Sequence, residues 1–190
     1  MKKNSYVLKD KNSIYIDDDV VIGDNVIIYE NNRIESGTII EDNVTIYPNS
    51  FIKGSIIKKG TKIYSSFIEL AEIGECSQIG PFSCIRKKTK LGANVIVSSF
   101  CEVKESKLGS HIKIGSYSKI VNANIGDNSK VGSGVIFEVS KKENKGQFII
   151  GRNVNIGAGS HIILPVKVYD NAVIECNSLI SKDVLNEREV

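Results

Sequence analysis

An isoleucine, valine or leucine returns at nearly every sixth position of this 190-residue chain, beginning at Ile16 and ending at Ile180. The series runs through Ile22, Ile28, Ile34, Ile40, Ile46 and Ile52. After one short step it continues at Ile57, Ile63, Ile68, Ile73, Ile79, Ile85, Leu91, Val97 and Val103. It then passes Leu108, Ile114, Ile120, Ile125, Val131 and Phe137, breaks once, and closes with Ile150, Ile156, Ile162, Val168, Ile174 and Ile180. Such a period matches neither an α-helix nor a strand alternation carried along the chain. It matches a solenoid in which each hexapeptide is one short face and three faces complete a coil.

The residues between ladder positions describe the corners. Glycine often follows the ladder residue, as at Gly23, Gly74, Gly92, Gly115 and Gly157, and asparagine recurs two residues later, at Asn25, Asn43, Asn49, Asn94, Asn128, Asn153, Asn171 and Asn177. Asparagine is the non-glycine residue that best tolerates positive φ, so one left-handed residue per corner is expected. Next comes a small or β-branched residue, as at Val44, Ser83, Ser129 and Ser160, expected to point inward where a triangular section leaves little room. Five-residue steps such as Ile52 to Ile57 read as tightened corners. Cys76 and Cys101 are assigned to the inward small position, as buried thiols.

These features predict an all-β, single-stranded parallel β-helix built of hexapeptide repeats, with one ejected loop. The expected organisation is an N-terminal cap at 1–13, the β-helix at 14–184 and a tail at 185–190, with the loop at 138–149. That loop is polar and charged, and the period resumes in phase after it; loops ejected from solenoids map to one face, often the functional one. The net charge of +3 and the sparse aromatics argue against a nucleic-acid partner. No run is long and apolar enough for a membrane span, and no signal-peptide run opens the chain, so a cytoplasmic location is expected. The four cysteines lack metal-ligand spacing, and no metal is expected. The basic runs at 86–90 and 141–145 read first as solvated surface.

The segment Ile79-Gly80-Pro81-Phe82-Ser83-Cys84-Ile85-Arg86 is similar to I-G-P-F-A-R-L-R, and Ser99-Phe100-Cys101-Glu102-Val103-Lys104 to N-F-V-E-M-K, at matching separation. On these stretches, and on the length and position of the loop, the chain resembles the hexapeptide-repeat acetyltransferase domain of the bacterial bifunctional N-acetylglucosamine-1-phosphate uridyltransferase/glucosamine-1-phosphate acetyltransferases. The resemblance runs from about Val7 to Val184. It implies a left-handed coil, against the usual crossover hand, and a homotrimer with sites between subunits that bind acetyl-CoA and a hexosamine phosphate. The family's N-terminal nucleotidyltransferase half and basic C-terminal arm have no counterpart in the sequence.

Carried over by position, the resemblance makes Arg86 and Lys104 sugar-phosphate ligands. Two fixed cations suit that chemistry, and the arginine fork can grip a phosphate through two donors. It sets Glu102 near the acceptor amine and brings Lys145 from the loop into a neighbouring site. Ser133, Ala158 and Cys176 fall on the coils along which acyl-CoA lies. The alternative for each is a solvated outward side chain.

The departures from the pattern bear on catalysis. The family's G-H-x-x-Y reads here Gly115-Ser116-Tyr117-Ser118-Lys119. Ser116 stands for the histidine base and Lys119 for the tyrosine, and a protonated amine needs a base to become a nucleophile. The paired asparagine and tyrosine of the loop are replaced by Val139 and Ser140, and Lys130 replaces another sugar-contacting asparagine. His161, outward and just before Ile162, is a second candidate base; His111 falls at an exposed corner. Glu102 is a third candidate, if burial raises its pKa.

Two functions remain. One is an acyl-CoA-dependent acyltransferase with a sugar phosphate, or a related amine or hydroxyl compound, as acceptor. The other is a non-catalytic trimer that binds a sugar phosphate or sugar nucleotide, or serves as a scaffold. A zinc hydratase on this fold would need three histidines per site, and the chain has two.

Overall fold

A computed structural model describes residues 5–139 and 146–185. Among them, strands of two or three residues form three wholly parallel sheets, each strand pairing with the equivalent strand one coil away. The first face begins with Val7–Leu8, the second with Tyr15–Ile16 and the third with Val21–Ile22; they hold ten, ten and nine strands. Registers are in phase throughout: Ile52 pairs with Ile68, Ile68 with Ile85 and Ile85 with Val103. The chain is therefore a left-handed parallel β-helix.

Stacking explains how strands this short persist. Each two- or three-residue strand donates to the coil on one side and accepts from the coil on the other, so no inner edge is left unpaired. The ladder residues from Ile22 to Ile174 are buried and merge into one core. Ile16 and Ile180, in the terminal coils, are only partly covered. Val7–Leu8 pairs with Ile27–Ile28, so regular pairing starts inside the segment expected to be a cap.

The corners follow the sequence pattern. All eight asparagines predicted to be left-handed have φ between 57° and 64°. Tightened corners are one residue shorter and place the left-handed residue earlier: Gly54, Ser65, Leu70, Glu105 and Asn122 have φ from 38° to 53°. The inward small positions are buried, with hydroxyls that serve the neighbouring coil: Ser83 Oγ accepts from Cys101 N at 3.0 Å and donates to Ser98 O at 2.7 Å. Cys101 is buried as expected, but Cys76 is exposed. The assignment of Cys76 to an inward position is wrong by one residue. It has φ 54° and takes the left-handed asparagine position, while Ser77 points inward.

Candidate active site

The second face carries the candidate site because a three-residue strand exposes two outward columns, one before and one after each ladder residue. Cys84–Arg86, Glu102–Lys104 and Lys119–Val121 are successive strands there. Register sets Cys84, Glu102 and Lys119 in one column, and Arg86, Lys104 and Val121 in the other. Four residues expected to bind or process an acceptor, Arg86, Glu102, Lys104 and Lys119, are thus brought within two coil steps.

Arg86 reaches diagonally across the face, its Nη2 donating to Glu102 Oε1 at 2.5 Å. Lys119 Nζ lies 3.9 Å from the other carboxylate oxygen. The Arg86 hydrogen bond is the main cause that holds the Glu102 pKa below its ordinary value, outweighing partial burial, with charge from Arg86, Lys104 and Lys119 acting in the same direction. This corrects the expectation that burial makes Glu102 a stronger base: the ion pair keeps it a carboxylate and a weak proton acceptor. Arg86 Nε is buried without a hydrogen-bond partner among the described residues, so the guanidinium keeps an unused donor. Below this cluster lies a pocket of 440 Å³ lined by Lys104, Lys119, Val121, Ile136, Phe137, Glu138 and Val139. It runs to the root of the ejected loop. The flanking strands extend further than expected, to Glu138 and from Phe148, and Asn122 Nδ2 donates to Gly146 O at 2.7 Å on the returning side. Ser140 and Lys145 lie outside the described residues.

Along one edge of the second face runs the corner from the first face. Ser116, Ser133, Ala158 and Cys176 occupy equivalent positions there in successive coils, each just before a left-handed residue: Tyr117, Gly134, Gly159 and Asn177. Ser133, Ala158 and Cys176 are exposed and Ser116 is half-buried. The glycines ahead of them permit the close stacking. A Cβ at Gly115, Gly132 or Gly157 would press onto the backbone nitrogen of Ser133, Ala158 or Cys176. The result is a strip of small residues continuous with the second face.

The structure separates the two histidines from the Arg86–Glu102 pair. His111 is exposed at a left-handed corner between the third and first faces. His161 is half-buried on the second face in the Glu102 column, with Lys119 and Ile136 intervening. Three coil steps put it roughly 14 Å from Glu102. Lys130 lies on the first face, in register with Lys113 and Asn155. Among the described residues, no three histidine, cysteine or acidic side chains are grouped to hold a metal ion. No helix among them is long and apolar enough to cross a membrane.

One feature of the site's border went unread in the sequence. Phe82, Phe100 and Tyr117 stack along the same corner, with ring centroids 5.2 and 5.1 Å apart, and all three are exposed. The available signal was three aromatic residues at the asparagine position of consecutive coils.

A parallel β-helix of hexapeptides with one ejected loop is the architecture of the hexapeptide-repeat family. The chain belongs to that family: residues 19–54 match the pattern described as bacterial transferase hexapeptide (six repeats), and residues 147–182 match the hexapeptide repeat of succinyl-transferase. It is 36% identical over 96% of its length to the bifunctional protein GlmU of Clostridium kluyveri, and 36% identical over 95% to that of Clostridioides difficile. It spans 40% and 39% of those relatives' lengths. The solved structure of LpxA from Acinetobacter baumannii, 20% identical, shares the fold at a TM-score of 0.52 over 90% of this chain and 66% of that one.

Proposed function

We propose that the protein is an acyl-CoA-dependent acyltransferase that transfers an acetyl group to a sugar phosphate, or to a related amine or hydroxyl acceptor, as a cytoplasmic homotrimer. The observation that carries this reading is the convergence of Arg86, Glu102, Lys104 and Lys119 on one face, directly beside the small-residue corner. In this reading Arg86, Lys104 and Lys119 hold the acceptor's phosphate, with Lys145 added from the loop of a neighbouring subunit. Glu102, kept ionised by Arg86, orients the acceptor's amine or hydroxyl through a hydrogen bond. Acetyl-CoA lies along Ser116, Ser133, Ala158 and Cys176, where the absence of bulk admits the pantetheine arm.

Attack of the acceptor on the thioester forms the new C–N or C–O bond and releases CoA thiol, and the acceptor's proton must go to a base. Ser116 has no basic group, and the lowered pKa of Glu102 makes it a poor acceptor of that proton. His161 is on the same face but three coil steps from Glu102, too far to take a proton from a group that Glu102 holds, so the Glu102 carboxylate, weak as it is, is the base within reach of that proton. Ser116 and the Glu102–Arg86 ion pair also favour a second reading, a non-catalytic sugar-phosphate-binding trimer.

Calorimetric titration with acetyl-CoA, followed by detection of free thiol with a hexosamine phosphate present, separates the two. Saturable binding near one site per chain with thiol release supports the transferase. Failure to bind at millimolar acetyl-CoA rejects it and leaves the binder.

A further inference from the structure

One carboxylate of the second face stands beside the site without a partner. Glu69 ends the strand Phe67–Glu69 and lies in register with Lys53 on one side and Arg86 on the other. It is half-buried and has no ion pair among the described residues. Both flanking cations turn away from it: Lys53 binds Glu35 at 3.0 Å, and Arg86 binds Glu102. Elsewhere opposite charges in register do meet. Glu35 and Lys53 are register partners, as are Glu72 and Lys90, 3.1 Å apart, and Glu102 and Lys119, 3.9 Å apart. Coils stack roughly 4.8 Å apart, which puts register partners within side-chain reach and makes such pairs favourable. Arg86 therefore has two carboxylates open to it, Glu102 diagonally ahead and Glu69 directly behind. Its Nε is a donor that the Glu102 contact leaves unused.

Two demands fall on Arg86 that its present position does not meet together. It is to hold the acceptor's phosphate, yet its guanidinium is engaged by Glu102. The same contact is the main cause that keeps the Glu102 pKa low and the carboxylate a weak base. The groups facing Glu102 are Cys84 and Arg86 on the strand before, Lys104 on its own strand and Lys119 on the strand after. Burial pushes the Cys84 thiol pKa up, so Cys84 stays neutral. Among the described residues, Arg86 is the side chain that donates a hydrogen bond to Glu102. Its departure is the change that would free Glu102.

We propose that Glu69 is a positioning residue that takes over Arg86 when the acceptor's phosphate binds, leaving Glu102 free to accept the proton of the attacking group. The phosphate meets Arg86 and Lys104, which are register neighbours. The guanidinium turns from Glu102 to Glu69 and presents its remaining donors to the phosphate. Glu102 keeps Lys119 and the acceptor's amine or hydroxyl. Its carboxylate takes the proton from the attacking nitrogen or oxygen as the new bond forms, and passes it to the departing CoA sulfur. The base is thus uncovered only once the acceptor is seated. The proton transfer rests on the acyltransferase reading, whereas the exchange of Arg86 between carboxylates needs only a phosphate.

The test is a carboxyl carbon NMR titration of the full chain labelled at glutamate, with Glu102→Gln identifying the Glu102 resonance. It is run with and without N-acetylglucosamine 1-phosphate, and calorimetry measures binding of the same probe. In the wild type the bound probe should move the Glu102 titration to higher pH. In Glu69→Gln that movement should be clearly smaller, and Glu69→Asp, which keeps the charge, should restore it. Removing one negative charge shifts the resting titration by itself, so the change on binding is the readout. Glu69 makes no ion pair, and the unfolding temperature of Glu69→Gln is expected to match the wild type. In transfer assays with a hexosamine phosphate, kcat of Glu69→Gln should fall about tenfold with KM changed by less than about twofold. A purely electrostatic role would instead tighten probe binding and leave the Glu102 response as in the wild type, which overturns the proposal. A Glu102 titration that ignores the bound probe, or no probe binding at millimolar concentration, also overturns it. A normal Glu102 response in a chain that does not bind acetyl-CoA would reject the acyltransferase reading and leave the Arg86 exchange standing.

Discussion

The corner between the first and second faces has two halves with the same backbone and opposite surfaces. In the central coils Phe82, Phe100 and Tyr117 have φ of 58°, 58° and 63°, and their amides bond to the preceding coil at Ser65, Pro81 and Ser99. In the later coils Gly134, Gly159 and Asn177 have φ of 69°, 72° and 59°, with amides bonded to Ser116, Ser133 and Ala158. Three stacked rings fill one half, while two glycines leave the other bare. The coil dictates a left-handed residue at each step and is indifferent to its bulk. An L-residue with a large side chain costs about 1–2 kcal/mol in that conformation, and the stacked rings offset about 0.5–1.5 kcal/mol per pair. The bare half coincides with the small residues Ser133, Ala158 and Cys176, the stretch proposed to take the donor.

The largest expected effect comes from forcing bulk into the part of the corner that both halves pack tightly. Gly157→Val would drive its side chain into the backbone of Glu175 and Cys176. A loss of about 4 kcal/mol or more is expected, read as a collapse of the unfolding temperature or of soluble yield. Gly134→Phe tests the opposite limit. An added Cβ there meets only Gly159 backbone at 4.0 Å, so the fold should survive at a cost of about 1–2 kcal/mol. Continuing the aromatic column over the bare half should nevertheless weaken acetyl-CoA binding about tenfold or more, roughly 1.4 kcal/mol. Unchanged binding would dissociate the groove from the donor.

Phe100→Ala removes the middle ring of the filled half, and a stability loss of about 1 kcal/mol is expected by chemical denaturation. The smallest effect concerns the neighbouring ion pair. The Glu102 pKa is lowered in the folded protein, mainly by Arg86, so the pair's contribution is complete above the ordinary value of 4.5 and is lost as pH falls through the lowered value. Unfolding temperatures of the wild type and Glu102→Gln should therefore differ most at neutral pH and converge as the pH falls below that lowered value.

The regular part of this molecule was legible in the chain because a solenoid repeats its environment. Each ladder position meets the same neighbours one coil away, so the period alone assigned the core and the eight asparagine corners. Cys76 shows the limit of that reading. In the regular step from Ile73 to Ile79 the small residues Cys76 and Ser77 adjoin, and pattern alone does not separate the corner residue from the inward one. The site was legible only as a set of residue types at matching positions. Glu102 looked like a base that burial could strengthen, until the register set Arg86 diagonally across from it.

The sequence by itself determined the parallel β-helix and its asparagine corners, since both depend on local conformation and on a repeated inward face. Only the tertiary structure decided which outward side chains meet. Residues far apart in the chain become neighbours when coils stack, and their charges and rings then act on one another. The lowered pKa of Glu102 and the aromatic column both arise from that lateral proximity, which no single repeat contains.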